Sequence, residues 1–120
     1  MLKYDPAKMV ERAKGCLANK KEIIEVADKL SQEGFSNIFF IGVGGTITYA
    51  WSIQETLKPL TTREYHAEHA ADFNTLGNKK FTKDSIVVVS SSTGDTKEVV
   101  EAVDKAKAVG ARVVGFVDTP

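Results

Sequence analysis

The chain has 120 residues, the length of one domain with one core, and its 16 basic and 16 acidic side chains cancel, so no electrostatic handle for a nucleic-acid partner exists. No apolar run approaches the ~18 residues of a membrane span, and residues 1–6 lack the apolar core of a signal peptide, so no membrane partner is expected. The single cysteine, Cys16, excludes an internal disulfide; read as a packed helix residue, it suits a reducing, cytoplasmic setting.

Asp5-Pro6 predicts a helix start, with aspartate as N-cap and proline at the first helical position. Val10, Ala13, Cys16 and Leu17 follow at helical spacing. Asn19 and Glu22 repeat a capping pattern, so one kinked helix or two helices in series are expected before Gly34, a C-terminal stop. Ile38-Phe39-Phe40-Ile41 reads as a strand buried on both faces, and residues 42–46 as a tight turn. Ile47, Ala50, Trp51, Gln54 and Leu57 predict a helix closed by Pro59. Residues 63–67 read as a weak strand near a sheet edge, residues 68–76 as a short helix or ordered loop, and Gly77-Asn78 as a turn. Residues 86–90 form the next buried strand. Residues 96–109 form an amphipathic helix with Val99, Val100, Val103 and Ala106 inward, closed by Gly110 before a strand at residues 112–117.

Strands that alternate with helices and lack in/out alternation predict a parallel α/β sheet, and right-handed crossovers make it a doubly wound three-layer sandwich. Such a sheet would continue with a further helix and strand, so a sequence stopping at Asp118-Thr119-Pro120 reads as a fragment, incomplete at its C-terminus. The expected division is a helical segment, 1–34, packing on an α/β domain, 35–120.

Ligands of open parallel sheets sit beyond the carboxyl ends of the strands, at the topological switch point. Two glycine- and hydroxyl-rich loops fall at such ends. In the second, Val87-Val88-Val89 stops at Ser90-Ser91-Ser92-Thr93-Gly94-Asp95-Thr96 and a helix follows at once. Gly94 allows a positive φ, Ser91, Thr93 and Thr96 offer hydroxyls, and a helix N-terminus favours an anion such as phosphate. The competing reading is a helix cap supplied by Thr93 or Asp95, with Asp95 and Glu98 as a capping-box-like pair. The first loop, Gly42-Val43-Gly44-Gly45-Thr46, begins like a dinucleotide fingerprint, but Ile47 stands where the third glycine belongs. Glu64 and Glu68 lie near the distance of a ribose contact, which keeps a nucleotide- or NAD-binding reading as an alternative, and a simple chain turn is another.

Ser91-Ser92-Thr93-Gly94-Asp95-Thr96-x-Glu98 resembles the S-x-S-G-x-T-x-[DE] signature of sugar isomerase (SIS) domains, and Ile41-Gly42-Val43-Gly44-Gly45-Thr46 resembles their first-strand loop, usually G-x-G-[GT]-S. The resemblance runs from about Gly34 to the end of the chain. It is nearest to fructosamine-6-phosphate deglycases and more distant to the isomerase half of glucosamine-6-phosphate synthase. It implies a flavodoxin-like fold and a phosphorylated sugar as ligand, fructose 6-phosphate-like or fructosamine 6-phosphate. By the same resemblance the sugar site comprises Gly44, Gly45, Thr46, Ser91, Ser92, Thr93, Gly94 and Thr96. Thr46 and Thr93 stand where the family usually has serine; both keep the hydroxyl. Asp72-Phe73 falls where Glu-Phe is usual, making Asp72 the candidate carboxylate for catalysis or simply a solvated acid. The resemblance further implies no metal or redox cofactor. It implies proton shuttling on an open-chain sugar, with the acid and base coming from a second SIS half or a homo-oligomer partner. A phosphosugar-sensing module of a regulator is a second reading, disfavoured because too few residues precede the first strand for a helix-turn-helix domain.

His66 and His69 with Glu64 and Glu68 have spacing that could hold a metal if a third ligand converged, but they read more simply as a polar strand end, one histidine lining the sugar site. Lys79, Lys80 and Lys83 read as a solvated loop. Tyr49 and Trp51 fall on different faces of their helix, so one face is open to a second SIS half or subunit.

Overall fold

The computed structural model describes residues 4–118; the expectations placed on residues 1–3 and on Thr119 and Pro120 lie outside the described residues. The chain forms two compact units, Met1–Gly34 and Phe35–Pro120.

The first unit holds α1 (Pro6–Ala18) and α2 (Lys20–Glu33). The Asp5 side chain accepts the Ala7 and Lys8 amides, and Pro6 occupies the first turn, where its missing N–H costs nothing. The Asn19–Glu22 capping pattern is not used. Asn19 keeps a right-handed helical backbone, and its amide bonds the Cys16 and Leu17 carbonyls, so the chain bends without entering the extended geometry a side-chain cap needs. Gly34, at φ +79°, ends α2. Cys16 is exposed rather than packed, because α1 buries none of its residues.

The second unit is β1 (Asn37–Gly42), α3 (Gly45–Leu57), β2 (Glu64–His69), α4 (Ala70–Leu76), β3 (Ser85–Ser91), α5 (Lys97–Val109) and β4 (Arg112–Val117). All pairings are parallel, in the order β2-β1-β3-β4. This is the flavodoxin-like winding, with β1 and β3 adjacent where the chain reverses direction across the sheet.

Alternate side chains of the central strands feed two cores. Phe39, Ile41, Val87 and Val89 meet α4 and α5 through Ala70, Phe73, Val99, Ala102 and Ala106. On the opposite face Phe40 meets Ile47 and Ala50 of α3, with Tyr65, Ala67 and Val88 beside them. Phe39, Ile41 and Val87 are wholly buried, each stabilising the fold by about 1.5–3 kcal/mol. On α5 the inward line is Val99, Ala102 and Ala106 with Val103 half-buried, while Val100 is 42% exposed, contrary to the sequence expectation. A 100° step turns Val100 off the stripe set by its three buried neighbours.

β2 is an edge strand, and α3 protects it. Ala67 donates its amide to Gln54 Oε1 at 2.8 Å, and its carbonyl accepts from Trp51 Nε1 at 3.2 Å. These bonds occupy strand-edge groups that would otherwise be open to another strand.

Candidate functional site

Because β1 and β3 are neighbours, the turns that leave them open side by side at the carboxyl edge of the sheet, each leading directly into a helix. In the first turn Gly42 is buried and Gly44 takes φ +59° as the N-cap of α3. Thr46 Oγ1 accepts the Val43 amide at 3.0 Å and donates to the Val43 carbonyl at 2.8 Å. Its hydroxyl therefore staples the turn. A Cβ on Gly42 would stand 2.6 Å from that same oxygen, so glycine is required for the close approach. Gly44 and Gly45 are exposed at the rim.

In the second turn Ser91 is 6% exposed, and its Oγ accepts the Gly94 amide at 3.0 Å. Thr96 Oγ1 lies 3.0 Å from the same oxygen. Gly94, at φ +77°, reverses the chain, while Ser92 and Thr93 stand exposed on the outside of the loop. The N-cap of α5 is Thr96, not Thr93 or Asp95, and its side chain makes no cap bond. The first intrahelical bond runs from the Val100 amide to the Thr96 carbonyl. The α5 N-terminus thus presents first-turn N–H groups with no Thr96 side-chain acceptor, at the positive end of the helix dipole. Neither α3 nor α5 has a side-chain cap.

A family model described as SIS domain matches residues 29–120, most of the chain. The chain belongs to the SIS domain family. Its fold is similar to that of a candidate phosphosugar isomerase from Salmonella typhimurium LT2, at TM-score 0.73 and 24% identity over 80% of this chain and 29% of the other. It is also similar to the C-terminal domain of glucosamine-fructose-6-phosphate aminotransferase from Francisella tularensis (TM-score 0.64, 18% identity, 78% of this chain, 26% of the other). A third similar structure is a candidate tagatose-6-phosphate ketose/aldose isomerase from Clostridium novyi NT (TM-score 0.67, 16% identity, 84% of this chain, 26% of the other). No curated protein matches. The SIS chain thus spans under a third of the length of each of these three structures.

Other polar residues of this SIS chain serve local structure. His69 Nδ1 accepts the Ala71 amide at 3.3 Å and caps α4. His66 stacks on Phe39, ring centroids 4.8 Å apart, and lies 3.2 Å from Glu64. Lys80 donates to the other Glu64 oxygen at 2.6 Å, and this bond first, then the His66 contact, holds the Glu64 carboxyl below its usual range. Glu68 accepts from Asn78 Nδ2 at 2.6 Å. Among the described residues no group of three or more His, Cys, Asp or Glu side chains is placed to hold a metal ion, and no helix is long and apolar enough to cross a membrane.

Asp72 is exposed in the first turn of α4 and lines a cavity of about 290 Å³ with Trp51, Glu68 and His69. No residue of the 91–96 loop lines that cavity, so the structure does not bring Asp72 together with the hydroxyl loop there. Sequence reasoning treated Ser91, Thr46 and Thr96 as ligand donors and missed their bonds within the turns. The spacing of Thr46 three residues after Val43, a side-chain-to-backbone turn pattern, was the available signal.

Proposed function

We propose that this chain is a phosphosugar-binding half-site, the N-terminal part of a sugar-phosphate isomerase or fructosamine-6-phosphate deglycase. The observation that carries this reading is the α5 N-terminus, with no side-chain cap, set behind the Ser91–Gly94–Thr96 lock and beside the parallel turn at Gly44. Two helix termini, each bearing about half a positive charge, face one crevice, which suits the dianionic phosphate of a sugar phosphate. Ser92, Thr93, Gly44 and Gly45 form the rim that a sugar would touch. Ser91, Thr96 and Thr46 hold the two turns in shape. The SIS family assignment and the similarity to candidate phosphosugar and tagatose-6-phosphate isomerases support the ligand class. The general acid and base are supplied by a second SIS half or by a partner subunit, because proton transfer needs groups within hydrogen-bond reach of the sugar carbons.

The test is an amide NMR titration with fructose 6-phosphate, with fructose as control. Shifts centred on residues 92–98 and 44–47 with the phosphorylated sugar alone are expected. Unmoved amides at millimolar sugar phosphate, in a folded chain, would overturn the half-site.

A further inference from the structure

We propose that the cavity at the carboxyl end of β2 is the subsite for an organic ammonium, so that the ligand of this chain is an amine adduct of a sugar phosphate rather than a plain ketose phosphate. The proposal rests on the half-site reading above and extends it from the phosphate to the other end of the sugar. The cavity, about 290 Å³, is assembled from three elements: Trp51 comes from α3, Glu68 and His69 end β2, and Asp72 and Leu76 come from α4. Two carboxylates line it and, among the described residues, no lysine or arginine does. Glu68 Oε1 accepts from Asn78 Nδ2, which orients that carboxylate. The Asp72 side chain has no hydrogen bond or ion pair among the described residues. His69 Nδ1 accepts the Ala71 amide, so the proton of the neutral ring sits on Nε2, a donor. Trp51 Nε1 donates to the Ala67 carbonyl, which holds the indole at the cavity wall, and indole faces attract organic cations. A metal ion does not suit this lining, because among the described residues no three His, Cys, Asp or Glu side chains are placed to hold one. Carboxylates beside an indole, with no competing basic side chain, suit an ammonium that carries an alkyl arm.

The place of the cavity ties it to the sugar. His69 pairs with Gly42 in the register of β2 on β1, and β1 lies beside β3. The cavity therefore stands about two strand spacings, about 9.6 Å, from the end of β3. An open-chain six-carbon sugar phosphate spans that length scale. β1 stands between, and the turn that leaves it carries Gly44 and Gly45, both exposed, where even an added Cβ meets nothing within 4 Å. The rim between the phosphate crevice and the cavity is thus free of side chains. With the phosphate at the α5 N-terminus, the far end of the sugar reaches Glu68 and Asp72, and a substituent on its nitrogen lies beside Trp51 and Leu76. The cavity is near the low end of small-molecule sites, ~300 Å³, the size for one arm of a ligand rather than for a second sugar.

The test is binding to the 120-residue chain, read by calorimetry and amide NMR, with circular dichroism to confirm folding of each variant. The probes are fructose 6-phosphate, N-propylfructosamine 6-phosphate, which carries a secondary ammonium, and the uncharged 1-O-propyl ether of fructose 6-phosphate. Fructose 6-phosphate tests the half-site and moves residues 44–47 and 92–98. The amine is expected to move these and also residues 67–72 and the Trp51 indole N–H. It should bind about tenfold more tightly than the ether, the scale of one charge-assisted hydrogen bond. Asp72→Asn and Glu68→Gln keep the shape and remove the charge, so each erases most of that preference and leaves fructose 6-phosphate binding as it was. Equal binding of amine and ether, or a preference that survives both substitutions, overturns the amine subsite while the half-site stands. Turn amides that ignore fructose 6-phosphate overturn the half-site, and the subsite falls with it.

Discussion

Ser91 Oγ lies 3.0 Å from Thr96 Oγ1 while accepting the Gly94 amide, also at 3.0 Å, so one buried hydroxyl fixes both the bend of the loop and the start of α5. Removing it leaves the partly buried Gly94 amide without its acceptor and the Thr96 hydroxyl without its partner. Ser91→Ala is therefore expected to cost about 1–3 kcal/mol, read by urea denaturation. Fructose 6-phosphate affinity should fall in the same variant. If stability is unchanged, the hydroxyl does not lock the loop.

The first turn depends on the space that Gly42 leaves for Thr46. Gly42→Ala sets a methyl 2.6 Å from Thr46 Oγ1 and displaces the staple on Val43, an overpacking change of about 1–3 kcal/mol. Thr46→Ser keeps the hydroxyl and should remain near wild type, whereas Thr46→Val should lose a similar amount. Equal melting temperatures for Thr46→Ser and Thr46→Val would refute the staple.

Tyr65 carries a hydroxyl shut off from solvent with no hydrogen-bond partner among the described residues. Burial first, and then the neighbouring Tyr49, push its pKa up from 10.0 to about 12. A pKa raised on folding means that the protonated form is favoured in the folded state. Its contribution is fully present below pH 10 and is lost as pH rises from 10 to about 12. Tyr65→Phe removes the unsatisfied group, so it should be neutral or stabilising by up to about 1 kcal/mol at pH 7. It should also flatten the alkaline loss in a series of denaturation curves. A variant clearly less stable than wild type at pH 7 would show that the hydroxyl has a partner.

At the opposite edge of the sheet, Ser85 Oγ donates to Asn37 Oδ1 at 2.6 Å and accepts the Thr82 amide, while Asn37 Nδ2 donates to the Lys80 carbonyl. Asn37 and Ser85 are both buried, 5% and 0% exposed, so this network ties the 80–85 loop to the starts of β1 and β3. Asn37→Ala and Ser85→Ala should each destabilise by about 1–3 kcal/mol. The double variant should cost less than their sum, with a coupling of about 0.5–3 kcal/mol in a double-mutant cycle. Strict additivity would mean that the two side chains act independently.

Much of this was legible before any fold was known. The run at residues 38–41 and the run at 86–90 had no polar alternation, and strands of that kind survive only when helices cover both faces. The weak strand read at residues 63–67 was expected near a sheet edge, and among the described residues β2, which runs two residues further to His69, pairs only with β1. The inward face of α5 was less legible, because valines at 99, 100 and 103 are equal by composition and only contact with α4 and the sheet separates them. The site was legible as a pair of loops but not as an arrangement of atoms. Sequence offers the hydroxyls of Ser91, Thr96 and Thr46 as identical donors, and cannot show that they are spent within the turns.

The sequence alone determined the alternation of strands and helices, the two glycine-bearing turns and the SIS-like signature. Each depends on local chemistry: periodicity, permitted φ, and hydroxyls at a helix start. The tertiary structure alone decided that β1 and β3 are neighbours, and that Gln54 and Trp51 protect Ala67. Those outcomes rest on contacts between segments distant in the chain, where burial and edge pairing select one arrangement among many that the local pattern allows.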